Sequence, residues 1–238
     1  MIKIESRPTV GALVAANPLR ARVFERYGID YCCGGKIEFA DACIRRGLNP
    51  AMVVEQLEAQ DAEIVSTGEP DWLTAPLTEL ADHIVEVHHG WLQRELPRLD
   101  QLTEKVARVH GERDPRLIEL RGLFTRFKGE MEEHTAKEEE ILFPLVRTLE
   151  SNRSHSPISA MAIARPILCM EREHEEAGGM LRQFRQLTDD YTPPLGACNT
   201  WRALCATLAE LESETHVHVH QENSILFPRA LTLAESLT

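Results

Sequence analysis

Two stretches of this 238-residue chain carry the same metal-binding chemistry in the same order. His134 and Glu138 are followed by Ile-Leu-Phe-Pro, and so, 84 positions on, are His218 and Glu222. A His and a Glu at i and i+4 stand roughly 6 Å apart along one face of a helix, close enough to converge on one cation. That spacing alone is common and reads as a solvated, charged helix face. The shared tail changes the reading, because it gives both pairs one helical phase and one expected stop at the proline.

The duplication reaches further. His89 and His174 lie 85 residues apart, each one helix-like stretch ahead of a pair, so the repeat unit is two helices carrying one His and then His-x-x-x-Glu. Two such units facing each other bring four His and two Glu to one interior: six protein donors for two ions. Helix phase does not choose between His88 and His89. Leu80, Ile84 and Trp91 favour the first, and Val85, Leu92 and Leu96 favour the second. Four neutral imidazoles and two carboxylates supply a charge of −2, which leaves a dinuclear site positive and open to oxo, hydroxo or exogenous ligands such as O2 or NO. The mixture suits Fe and Mn, tolerates Zn, and lacks the thiolates of a structural zinc site. If Glu138 and Glu222 bridge, the ions should lie about 3.5–4 Å apart. His216 and His220, two residues either side of His218, point well round the helix and read as surface or flanking groups. His83, His110 and His155 read as bystanders.

The elements that must position these donors are helical. After residue 76 four long stretches, near 77–110, 116–149, 160–188 and 198–235, are separated by Gly- and Pro-bearing breaks at 111–115, 151–157 and 192–196. No alternating strand pattern interrupts them, so the expected fold is all-α, an up-down four-helix bundle preceded by a small helical domain. The boundary is expected at the Ser66–Pro70 break, giving a small domain over 1–66, a linker over 67–76 and the bundle over 77–238. In the small domain Thr9 can cap a helix, and Asn17-Pro18 and Asn49-Pro50 open two more. Between them, Cys32-Cys33-Gly34-Gly35 is the one non-helical stretch with chemistry in it. Adjacent cysteines form a disulfide only with strain, so this pair suits thiol work better than stapling. A single packed Cys beside an incidental one is an equally good reading of the residues.

The bulk numbers exclude several classes. A net charge of −12 argues against nucleic acid or an anionic membrane as partner and suits a protein that handles cations. No run of about 18 apolar residues exists and the first residues do not read as a signal peptide, so a cytoplasmic protein is expected. The six Cys form no Cys-x-x-Cys pair and read as reduced thiols.

Taken together, these motifs resemble the RIC ("repair of iron centres") family of bacterial di-iron proteins over nearly the whole chain. Asp30-Tyr31-Cys32-Cys33-Gly34-Gly35-Lys36 is similar to that family's short cysteine-bearing domain, and residues 75–230 resemble its hemerythrin-like bundle. The resemblance implies a metal-binding set of His89, His134, Glu138, His174, His218 and Glu222 around two non-haem iron ions, oxo- or carboxylate-bridged, with no catalytic residue beyond them. It places Glu130 and Glu173 near the metal, beside a binding imidazole or on an iron path, and it selects His89 over His88. Cys32 and Cys33 form its thiol site. The implied function is repair of iron–sulfur clusters damaged by nitrosative or oxidative stress, with iron donated to damaged iron–sulfur proteins. The alternatives are an enzyme reducing NO to N2O and a hemerythrin-like O2 or NO sensor. A homodimer is a candidate assembly.

Overall fold

The computed structural model describes residues 2, 6–62, 70–151 and 160–237. The break at residues 66–69, most of the loop at 151–157 and His155 lie outside the described residues. Five short helices open the chain: α1 (Val10–Ala16), a 3-10 turn (Pro18–Arg20), α2 (Ala21–Arg26), α3 (Phe39–Arg45) and α4 (Pro50–Asp61). Local chemistry sets their starts. The side chains of Thr9, Asn17 and Asn49 each accept a hydrogen bond from the backbone N–H that would otherwise be unpaired at a helix opening.

The bundle follows as four rods. The first joins α5 (Leu77–His83) to α6 (Gly90–His110) through a π-helical turn, Ile84–His89. The second joins α7 (Arg116–Lys137) to α8 (Phe143–Ser151) through Glu138–Leu142. The third is α9 (Ala160–Leu187). The fourth joins α10 (Asn199–Gln221) to α11 (Phe227–Ser236) through Glu222–Leu226. Helix α6 packs on α7, α7 on α9, and α10 closes the ring against α6 and α9. Among the described residues there is no strand, only an isolated bridge between Thr9 and Glu38.

Buried positions recur every three or four residues, so each rod turns one stripe inward. In α7 the stripe runs Leu120, Phe124, Phe127, Met131, His134; in α10 it runs Leu204, Leu208, Leu211, Thr215, His218. These are the same positions 84 residues apart, and both stripes end on the histidine. The buried polar donors are therefore continuations of the apolar stripe. Two apolar layers result, one built on Leu80, Phe143, Ile167 and Phe227 and the other on Leu99, Phe124, Phe184 and Leu208.

The prolines of the repeated tail do not stop their helices. In both copies the turn widens by one residue: Phe143 N–H donates to the Glu138 carbonyl and Phe227 N–H to the Glu222 carbonyl, five residues back. The widened turn makes room for the ring of Pro144 or Pro228, and the rod continues as α8 or α11.

The small domain has its own core, around Phe24, Tyr31, Phe39, Val53 and Leu57, to which Val219 of α10 contributes. Gly28 and Gly47 take positive φ, whereas Gly11, Gly34 and Gly35 do not and act through space. A Cβ on Gly35 would stand 2.4 Å from the Tyr31 carbonyl oxygen, and one on Gly11 would stand 2.5 Å from Ser224 Oγ. Gly35→Ala should therefore loosen the small domain and lower the thermal midpoint. Gly122→Ala, on a helix face with nothing within 4 Å, should stabilise by about 0.5–1 kcal/mol. Differential scanning calorimetry of the two variants checks both signs.

Candidate metal centre

The two apolar layers leave a polar middle. His89, His134, His174, His218, Glu138 and Glu222 meet there, all at most 2% exposed. They form two groups, His89–His218 and His134–His174, and both glutamates belong to each. Glu138 lies with Oε2 3.3 Å from His89 Nε2 and Oε1 3.4 Å from His134 Nε2. Glu222 lies with Oε1 3.2 Å from His218 Nε2 and Oε2 3.1 Å from His174 Nε2. Each carboxylate thus offers one oxygen to each imidazole pair.

The far side of three of the four rings fixes which nitrogen faces inward. His89 Nδ1 donates to Glu139 Oε1 at 2.8 Å, His134 Nδ1 to Glu173 Oε2 at 2.9 Å, and His174 Nδ1 to Asn223 Oδ1 at 2.9 Å. With one ring proton held there, Nε2 of each of these three rings keeps its lone pair whenever the ring is neutral. Nε2 of His134 and His174 are 3.0 Å apart, and Nε2 of His89 stands 3.3 Å from that of His218, which also lies 3.2 Å from Glu222 Oε1. Both oxygens of Glu138 are buried without a hydrogen-bond donor. Two buried carboxylates among four imidazoles in an apolar interior are costly by themselves and fit a pair of cations. Burial and the charge of Glu222 push the Glu138 carboxyl up. Burial opposes charge on His174, but Glu222 outweighs it and lifts that imidazole to about 9. Burial holds His218 down at about 3.

The duplication governs the surroundings as well. Glu139 and Asn223 are the residues immediately after the two glutamates, and each accepts from an imidazole of a different rod. Sequence reasoning passed over both, though their equal place in the repeat was a usable signal. Phe143 and Phe227, which end the Ile-Leu-Phe tail, lie flat against His89 and His174, with ring centroids 5.9 and 6.0 Å apart and interplanar angles of 19° and 1°. Where the 85-residue offset pairs His88 with Glu173 the symmetry breaks. Glu173, held at about 2 by His134 and also bound by Lys137 at 2.8 Å, accepts from its imidazole. His88 instead stacks on His218, with centroids 5.4 Å apart, and His218 Nδ1 has no partner.

Other expected residues fall elsewhere. His88 stays outside the cluster of donors. Glu130 is exposed and pairs with Arg126 at 3.5 Å, because its position on α7 turns it to solvent. His220 is not a surface group: it is buried against the small domain, with Nδ1 3.4 Å from the Tyr31 carbonyl, while His216 meets the Tyr31 ring. His83 packs on Trp72, and His110 lies 3.3 Å from Cys198 Sγ. Cys32 and Cys33 are free thiols 3.7 Å apart. Their turn docks on the centre's outer face, where Asn223 Nδ2 donates to the Cys32 carbonyl at 3.4 Å and Cys33 Sγ donates to the His174 carbonyl at 3.3 Å.

A four-rod bundle with this interior defines a hemerythrin-like, cation-binding protein. The Hemerythrin HHE cation binding domain matches residues 80–230, and a domain of unknown function, DUF542, matches residues 6–61. The chain is 41% identical to the iron-sulfur cluster repair protein YtfE of Edwardsiella ictaluri over 93% of its own length and 96% of the relative's. It is 38% identical to the YtfE protein of Musicola paradisiaca, over 94% and 96%, and 36% identical to that of Citrobacter koseri, over 93% and 96%. The chain belongs to this YtfE family of hemerythrin-domain proteins.

Two outcomes follow from the geometry. The proton held on His174 stabilises the metal-free fold fully below pH 6.5, and that contribution is lost as pH rises through about 9. A cation competes for the same nitrogen, so uptake should release protons and tighten across that window, as read by titration in weakly buffered solution. His88→Glu should give His218 the acceptor it lacks and tighten binding by about tenfold, whereas Asn223→Ala should weaken it by 10–100-fold. Competition with a coloured chelator measures both.

Proposed function

We propose that the chain repairs iron–sulfur clusters by donating iron held as a pair of non-haem ions, one at His89 and His218 and one at His134 and His174, with Glu138 and Glu222 bridging. The observation that carries this reading is the division of each buried carboxylate between the two imidazole pairs. Six protein donors for two ions leave coordination positions free, as a site that must release its metal or admit a small ligand requires. Around the site the chain's own groups have separate tasks. Glu139, Glu173 and Asn223 hold three imidazoles with Nε2 inward, and the faces of Phe143 and Phe227 keep water from one end. Glu173, with its side chain 19% exposed and bound to Lys137, joins the interior to the surface and is the proposed iron path.

The names of the relatives supply the client class, damaged iron–sulfur proteins. In the same reading NO and O2 are the small ligands of the open positions and the chain serves the cytoplasm under nitrosative or oxidative stress. Homodimer formation is checked by sedimentation.

Metal analysis of chain loaded anaerobically with ferrous iron should give two irons, falling to one or none in Glu138→Leu. The loaded wild type should reactivate an oxidised cluster enzyme, and His218→Leu should not. Full reactivation by a metal-free variant would refute donation. N2O formed on exposure of the ferrous chain to NO would instead support the enzymatic alternative.

A further inference from the structure

The thiol pair has no place among the metal-facing donors, yet it forms part of the wall of a cleft of about 800 Å³ between the small domain and the bundle. Gly178 keeps α9 bare beside Cys33: a Cβ there would stand 3.1 Å from Cys33 Sγ and 3.6 Å from Nη1 of Arg182. A half-buried thiol and a guanidinium therefore share one patch of wall. From the small domain Arg46 reaches into the same cleft, past Gly28.

The carboxylates that line the cleft are already engaged. Glu25 accepts from the Tyr31 hydroxyl at 2.8 Å, Asp30 from the Cys32 amide at 3.1 Å, Glu212 from Arg185 at 2.9 Å, and Asp189 from Arg116 at 3.0 Å. Asp190 shares Arg185 at 3.1 Å. Among the described residues Arg46 and Arg182 have no acidic partner. Glu212 and Asp190 share Arg185 and Asp189 holds Arg116, whereas Glu25 and Asp30 accept from neutral donors and keep their charge, so the cleft offers a ligand the Arg182 guanidinium beside the Cys33 thiol and that of Arg46 further along the wall. Guanidiniums bind carboxylates through parallel hydrogen bonds, and a thiol exchanges with disulfides.

We propose that this cleft binds small disulfides bearing carboxylates, and that Cys33 exchanges with them. The Cys33 sulfur attacks one sulfur of the bound disulfide. A bond between the two forms as the ligand's own S–S bond breaks, and the departing sulfur takes up the proton Cys33 gives up. The products are one mixed disulfide and one free small thiol, with no other oxidant or reductant consumed. Cys32, 3% exposed and adjacent in sequence, would have to close a strained ring to displace the adduct, so the mixed disulfide persists until a second small thiol reverses it. The modified sulfur has no S–H to give, so exchange also removes the hydrogen bond from Cys33 to the His174 carbonyl.

The test is incubation of the reduced chain with oxidised glutathione under nitrogen, read by peptide mass spectrometry over time. The adduct is expected on Cys33 ahead of Cys198, the exposed thiol that serves as internal reference. Arg182→Ala and Arg46→Ala, shown to be folded by circular dichroism, should each slow the Cys33 reaction about two- to fivefold, the scale of an exposed charge pair. Both variants should react at the wild-type rate with uncharged bis(2-hydroxyethyl) disulfide. Modification of Cys198 first, no adduct on Cys33, or equal slowing with both disulfides overturns the proposal.

Discussion

Two carboxylates that water does not reach set the terms for this fold. Glu138 and Glu222 are wholly buried in the middle of a helical bundle, and the groups nearest them are imidazole nitrogens with lone pairs of their own. Anions and lone pairs gathered in an apolar interior repel one another and forfeit their hydration. Only positive charge makes such an arrangement stable, whether protons, as on His174, or metal ions. The apolar layers on either side confine that charge to the middle, and the flat faces of Phe143 and Phe227 form the boundary on one side.

Three of the four rods reach the centre through a π-helical turn, and in two of them the turn begins at the glutamate itself. The widened turn lets one helix present both His and Glu to the centre and still continue past a proline. It also carries the next residue, Glu139 or Asn223, round to an imidazole of another rod. The rods are thereby tied in pairs by hydrogen bonds that also orient the donors, so fold stability and metal readiness rest on the same contacts. The thiol turn joins this network at Asn223, which receives from His174 on one side of its amide and gives to the Cys32 carbonyl on the other. Docking of the small domain is in this way mechanically connected to one metal-facing imidazole.

The repeat also shows where the halves of the centre diverge. His88 stands where the other half has Glu173, and His218 is left as the one imidazole of the four without an acceptor behind it. The two halves of the repeat therefore surround their imidazoles differently, with Glu139 against Asn223 and His88 against Glu173.

How much of this was legible beforehand depended on the kind of signal. The six donors, the four rods and the caps of Thr9, Asn17 and Asn49 could be read from local spacing, because helix phase and capping are set by residues within a few positions of one another. The widened turns could not, and proline was taken for a stop, since whether a helix breaks or bulges depends on the neighbours that hold both halves in line. Glu130 and Glu173 were equivalent on the sequence. The bundle turned one to solvent beside Arg126 and the other onto His134. His88 and His89 were inseparable by phase, and packing against the second rod put His89 among the donors. The sequence by itself determined which residues could bind a cation and that two copies would face each other. Only the tertiary structure decided which oxygen faces which imidazole, which side chains lock the rings, and where the thiols lie, because those depend on distances between rods that no local pattern encodes.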